Sequence, residues 1–470
     1  MTAPTTYAST GVPRIGLWRA EFIDTVKLAT PLALTQLGQI AMMTTDLILI
    51  GRLGDQAVAA AALGHAVLFS AFMAGLGLVA AVAPLASQAY GARKPRMVRR
   101  ALRVGMWAAV ITGVPLTALL LHTEKILVLL GQTSELSAMA GRYLDGMAWS
   151  MTPAWLFIAL RSFMSSLNRP QPALWITLAA IPANALLAYS LIHGSAGLPA
   201  LGLLGAGLAT TIVNIGMLLA AIWVCYTRRP FRKFQVLGHF WRADWPLLGK
   251  LTRMGLPISA AMLLEHGLFA SATLMIGTIG INELAAHQIA LQIAAIVFMV
   301  PLGVSFAATV RVGHAVGRRD AAATRRAGHA AIVLGTLFQC AMAVCVIATR
   351  YQLPFLFLGE AATPMTVAIA STLLLIGAMF FVADGLQCIA AGVLRGFNDT
   401  FIPFLFSATG FWLVGFVSAY VLAFPLGYGA AGIWIGLLAG LTVYAALLIW
   451  RFELLTRRGY LPAVDEKLHL

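Results

Sequence analysis

Three carboxylates, Asp46, Glu265 and Asp384, lie deep inside otherwise apolar stretches of the chain. A carboxyl at lipid depth costs at least ~2.5 kcal/mol, so it persists with a partner, a wet cavity or a part in transport. No Lys or Arg is read inside the same stretches to neutralise them, and the chemistry they suggest is cation binding. Glu265 follows Arg253 by 12 residues and Asp384 precedes Arg395 by 11, which is ~18 Å and ~17 Å along a helix. Both arginines fall on basic connections of one side, so the two carboxyls are expected at one level, able to share a cation. Asp46 is 19 residues from Lys27, ~28 Å from that side, and is expected in a separate site.

The neighbours of these acids refine the picture. Gln36, Gln39, Met43 and Asp46 share one helical stripe, which implies a wet face. Phe380 and Gln387 flank Asp384 at one-turn spacing. An aromatic and an amide beside a carboxylate suit a hydrophobic organic cation, although helix packing accounts for Phe380 equally well. Asn184, within I-P-A-N-A, and Thr210 and Thr211 offer neutral oxygens. Such groups either complete an oxygen-only cation shell near Asp46 or serve as interhelical hydrogen-bond partners. Gln288 is counted with Asn184, Thr210, Gln36, Gln39, Phe380 and Gln387 as an accessory cation or substrate contact.

The elements that must position these groups are membrane helices. Of 470 residues, 60% are hydrophobic and 10% charged, against roughly a quarter charged in soluble proteins. Twelve apolar segments are long enough to cross a ~30 Å hydrocarbon core: 28–50, 61–86, 103–121, 140–159, 173–192, 202–226, 254–278, 285–309, 328–349, 365–391, 402–424 and 430–450. With the N-terminus inside, 28 of the 32 basic residues fall on cytoplasmic connections, leaving Arg52, Lys125, Arg142 and Arg350 outside. That asymmetry places both termini in the cytoplasm and explains the net charge of +15 by topology, not by nucleic-acid binding. The longest connection, 227–253, adds Trp241 and Trp245 as interfacial anchors. Cys225, Cys340, Cys345 and Cys388 form no C-x-x-C pair, so neither a metal nor a disulfide framework is expected. The first 27 residues carry no signal-peptide pattern.

The two halves repeat. A shift of 226 aligns Pro31 with Pro257, Gly91 with Gly317, Arg93 with Arg319, and Gln39 with Glu265; a shift of 230 aligns Asn168 with Asn398. Corresponding points are six spans apart, so the repeats run parallel, related by an axis along the membrane normal. The expected fold is an all-α integral membrane protein: twelve transmembrane helices in two pseudo-symmetric six-helix lobes around a central cleft. The lobes are expected at 1–227 and 254–470, with a cytoplasmic linker at 228–253. The matched Pro31 and Pro257 permit bending of the first helix of each lobe.

No H-E-x-x-H or G-x-S-x-G pattern occurs, which speaks against an intramembrane enzyme. A flippase of lipids or lipid-linked sugars is the alternative; it would call for basic residues inside the cleft, and none is read inside a span. A channel would need a ring of equivalent filter groups. The runs L-A-A-H-Q-I-A-L at 284–291, F-M-V-P-L-G at 298–303, T-V-R-V-G-H-A-V-G at 309–317, L-R-G-F-N-D-T at 394–400 and D-L-I-L-I-G-R-L-G at 46–54 resemble the multidrug and toxic compound extrusion (MATE) family, in its bacterial NorM-like branch. The resemblance implies a cation-coupled exporter of multiple drugs in the inner membrane, driven by Na⁺ or H⁺ entry; the expected substrates are organic cations, and the chain is expected to act as a monomer with no cofactor beyond the coupling ion. It also implies that Asp46, Glu265 and Asp384 are the coupling acids and Asn184 an amide of the first-lobe site. Ala188 stands where the family often has a second Asn or Asp, and Gln292 where Asn is usual. The loss at 188 shifts the expected coupling toward Glu265 and Asp384.

Overall fold

The computed structural model describes residues 14–194, 199–236, 238, 241–242, 244–359 and 363–462. The polar segment ahead of Arg14 and the tail beyond 462 therefore lie outside the described residues. All regular structure among the described residues is helical. Twelve crossing elements can be followed: α1 (Arg14–Gly51), α2 (Asp55–Gly91), α3 (Pro95–Leu120), α4 (Ser134–Met147, then Met151–Ser166), α5 (Gln171–His193) and α6 (Leu203–Thr227). The second half supplies α7 (Trp245–Gly277), α8 (Ile281–Gly317), α9 (Ala321–Thr349), α10 (Pro364–Gly396), α11 (Phe401–Ala423) and α12 (Gly429–Arg457).

Eleven of these are single helices long and apolar enough to cross a membrane, and the protein is a multi-pass membrane protein. The twelfth, α4, is broken at Ala148–Ser150 by a 3₁₀ turn. Pro153 explains the break: it cannot donate to the carbonyl of Trp149, and its ring crowds that carbonyl. In α11 the segment Ala408–Phe416 is wound as a π-helix. Its Gly410 and Gly415 lie against Gly440 of α12, where a Cβ would meet backbone atoms at 2.6 Å.

The internal repeat is visible in the backbone. Arg93 and Arg319, at the ends of α2 and α8, are both left-handed at φ 56° and 58°; Asn168 and Asn398, after α4 and α10, are so at 58° and 63°. Left-handed backbone is uncommon for residues with a Cβ, so its recurrence at matched positions is specific. Two apolar cores correspond to the two lobes, with a reciprocal exchange. Leu28, Ala29 and Leu32 of α1 pack in the second core, while Leu251, Met254 and Ile258 of α7 pack in the first. Asp244 helps hold α7 there, accepting from the Leu247 amide at 3.4 Å and from Arg100 Nε on α3 at 2.6 Å.

The lobes meet through a pseudo-two-fold set of contacts. A Cβ on Gly77 of α2 would meet the Ser259 amide nitrogen of α7 at 2.2 Å; on Gly303 of α8 it would meet the Ala33 Cα of α1 at 2.5 Å. Both residues of the second contact are those of the first under the same shift of 226. Hydrogen bonds that cross between the lobes gather at the end carrying the basic connections. Gln88 Nε2 donates to the Gly396 carbonyl at 2.8 Å, and His314 Nε2 bonds the Ser166 carbonyl at 2.7 Å. These bonds are again repeat mates. Asn398 adds a bond to Gln88 Oε1 at 2.7 Å, and Arg311 pairs with Glu21 at 2.8 Å and Asp24 at 3.3 Å.

Candidate functional site

In the second lobe, Glu265 projects from the middle of α7, and Asp384 and Gln387 from α10. Gln387 Nε2 donates to Glu265 Oε1 at 2.9 Å and to Asp384 Oδ1 at 3.2 Å. An amide nitrogen carries two hydrogens, one for each carboxylate. It ties the acids together while leaving each with an oxygen for a cation. Gln387 is thus an organiser of the pair, a role that spacing alone did not distinguish from that of an accessory contact.

A cavity of about 40 Å³ opens beside the pair, lined by Pro257, Glu265, Gln387, Arg395, Asp399 and Tyr444 among others. That volume holds a few waters or a small cation. It is far below the ~300 Å³ at which sites for drug-sized ligands begin. Of the two acids, Glu265 lines this small space directly.

Phe380 does not offer its ring to a ligand. It is fully buried, edge-on to Trp434 at 5.2 Å, Phe269 at 6.0 Å and Phe381 at 6.2 Å. Packing is its explanation. Gln288 is exposed near the start of α8, and Gln39 is half-buried on α1; neither is joined to the acids. His287, beside Gln288, is buried in a network that sequence reasoning missed. Trp434 Nε1 donates to its Nδ1 at 3.1 Å, so the ring proton is on Nε2, which faces Thr273 Oγ1 at 3.0 Å. This joins α12, α8 and α7; a lone His in an apolar run was the available signal.

Asp46 occupies its own site in the first lobe. Asn184 Nδ2 of α5 donates to Oδ1, and Thr210 Oγ1 of α6 donates to Oδ2 at 3.1 Å. Thr211 turns away, to the Gly146 carbonyl of α4 at 2.7 Å. Asn184 is wholly buried, and its Oδ1 is left without a hydrogen-bond partner beside the carboxylate. Ala188, one turn further, is buried and adds no oxygen. Removing the amide strips one of two donors from a carboxylate at lipid depth, so Asn184→Ala should lower stability by about 2 kcal/mol. Thermal unfolding in detergent would measure this; an unchanged midpoint would contradict the arrangement.

One expectation is overturned. Arg161, assigned to a connection because the apolar run ends at 159, lies inside α4 with only 6% of its surface exposed. The helix continues to Ser166, beyond the apolar window, and draws the guanidinium into the protein. Its Nη1 donates to Gln36 Oε1 at 2.7 Å, and it stands over Phe306 of α8, 5.5 Å from the ring centroid. Gln36 is therefore committed to Arg161, and a basic residue does sit within a crossing helix.

The sequence model of the MatE family matches residues 31–190 and again 257–421. The chain belongs to the MatE family. Its two matches begin at Pro31 and Pro257, the shift that relates the lobes. Among curated relatives of this MatE protein, one from Rhodopseudomonas palustris named "Probable multidrug resistance protein NorM" is 59% identical over 99% of both chains. A relative of the same name from Bradyrhizobium diazoefficiens is 57% identical over 95% of this chain and 96% of its own. The MatE fold is matched by the crystal structure of the eukaryotic MATE transporter AtDTX14, with TM-score 0.84, 20% identity, and 94% and 99% of the two chains covered. The Vibrio cholerae MATE transporter VcmN in its bent form matches with TM-score 0.81 at 19% identity, covering 94% and 98%.

Proposed function

We propose that this MatE protein is a secondary antiporter that exports hydrophobic organic cations from the bacterial cytoplasm in exchange for Na⁺ or H⁺. The observation that carries the reading is the Glu265 and Asp384 pair held by one Gln387 amide inside apolar helices. Two acids at lipid depth with free oxygens form a cation trap that costs stability unless it is used. The multidrug-resistance names of the relatives agree with this reading.

The basic end faces the cytoplasm of the inner membrane, and the crossing bonds of Gln88 and His314 close the lobes there. From the opposite side a cation enters and neutralises Glu265 and Asp384. The lobes then rock about their pseudo-two-fold contact, the cation leaves inward, and an organic cation takes the cleft for the return. Coupling follows because cation and drug bias the same carboxylates in opposite senses. A single chain encloses the whole cleft and works as a monomer, without a catalytic step or further cofactor. Asp46, with Asn184 and Thr210, is a second cation locus of lower capacity.

A lipid or lipid-linked sugar flippase would use basic groups in the cleft. Arg161 is buried and already engaged by Gln36 and Phe306, and Arg395 stands in a small cavity walled by Glu265, so neither makes a good phosphate site. The test is efflux of a fluorescent organic cation from proteoliposomes under an imposed Na⁺ gradient and, separately, a pH gradient. Efflux driven by one of them is expected; efflux by neither would sink the antiport reading.

A further inference from the structure

The cavity beside Glu265 has a second charged wall. Arg395, at the end of α10, lines it together with Glu265, Gln387 and Ala391. Asp384, Ala391 and Arg395 are spaced i, i+7 and i+11, so they share one face of α10. Helical side chains lean toward the helix N-terminus, which directs Arg395 up this face toward the carboxylates. Ala391, with no more than a Cβ, leaves the way open.

Arg395 also lacks the partner that an arginine in this position would ordinarily hold. Asp399, the nearby acid, is taken by Arg451 Nε of α12 at 2.8 Å. The half-buried Arg395 guanidinium makes no hydrogen bond or salt bridge among the described residues, and it lines the same cavity as Glu265. The ionisable groups lining the cavity are thus Glu265 from α7, Arg395 from α10, Tyr444 from α12 and Asp399, which is paired with Arg451; Asp384 is joined to Glu265 through Gln387.

We propose that Arg395 is the built-in countercharge of the coupling site, set across the cavity to weaken the hold of Glu265 and Asp384 on their cation and so speed its release. It is a positioning charge and not a cation ligand. This rests on the assignment of coupling to Glu265 and Asp384. A fixed positive charge repels the bound cation and stabilises the vacated acids, which keeps the site from trapping its ion.

The experiment measures drug efflux in proteoliposomes as a function of coupling-ion concentration for wild type, Arg395→Gln, Arg395→Met, Arg395→Lys and Glu265→Gln. A unit charge acting through an effective dielectric of about 20 over this range changes cation affinity on the order of tenfold. Arg395→Gln and Arg395→Met should therefore reach half-maximal efflux at about tenfold lower ion concentration, with a reduced maximal rate. Arg395→Lys should restore the wild-type profile. Met preserves the bulk of the side chain, so a shift seen in both neutral variants and rescued by Lys is electrostatic. An unchanged half-saturating concentration in the neutral variants, with Glu265→Gln inactive, overturns the countercharge alone. Normal efflux by Glu265→Gln overturns the coupling assignment on which it rests.

Discussion

Proteoliposomes carrying Glu265→Gln or Asp384→Asn are expected to lose gradient-driven efflux by on the order of a thousandfold while retaining normal expression. The amides are nearly isosteric, and either can still accept the Gln387 hydrogen that now reaches Glu265 Oε1 or Asp384 Oδ1. On the proposed coupling, what disappears is one negative charge facing the cation, worth about 4 kcal/mol at ~4 Å in an effective dielectric of about 20. The loss falls on the ion's purchase on the lobe, so the gradient no longer does work on the drug. Neutralising a buried acid also removes a desolvation cost, so thermal stability should hold or rise. Activity lost together with stability would mean that the substitutions merely damage the fold, and full activity in both would end the claim that this pair couples.

Gly91→Ala combined with Gly317→Ala should spring the basic end open. A Cβ at Gly91 would meet the His314 carbonyl oxygen at 2.3 Å, and one at Gly317 would meet the Gln88 carbonyl oxygen at 2.2 Å. Backbone cannot swing aside as a side chain does, so the lobes must separate. Overpacking of this kind costs about 1–3 kcal/mol per site. That moves the balance between closed and open by at least about tenfold. Spin labels on exposed Arg96 and Arg318 would report a longer distance, and transport would fall. His314→Gln, which copies the side chain of its repeat mate Gln88, should leave the distance unchanged, whereas His314→Leu leaves the Ser166 carbonyl unbonded and should mimic the glycine variants. An unaltered distance in the double variant would show that this contact does not hold the lobes.

Much of this was legible in the sequence because it depended on what lipid forbids. Acids at depth are so costly that Asp46, Glu265 and Asp384 stood out from type alone, and Pro31 with Pro257 marked a repeat that the fold repeats in space. What stayed hidden depended on direction. Phe380 and Gln387 share a helix with Asp384, yet one is sealed among Trp434, Phe269 and Phe381 and the other bridges both acids. Spacing locates a face of a helix without naming what lies opposite. Thr210 and Thr211 are neighbours whose hydroxyls part by a single helical step, one to Asp46 and one to Gly146. Arg161 was missed because hydropathy ends a span where apolar residues end, whereas α4 is held by its backbone bonds to Ser166. Gly91 and Gly317 were legible as repeat mates, but the close approach of backbone at these two and at Gly77 and Gly303 is set by what lies opposite, which spacing does not name.

The exchange of helix beginnings between the cores bears on how such a chain arises and assembles. Leu28 and Leu32 complete the second core, and their repeat mates Met254 and Ile258 complete the first. Neither half owns all of its own interior, so fragments cut at the connection before α7 should each be unstable alone and recover when produced together. A single ancestral copy of the repeat would have met the same need by pairing with an identical copy, lending its first helix and borrowing one in return. Fusion of two such copies then fixes the pairing within one chain and frees the halves to differ, as Gln39 and Glu265 now do.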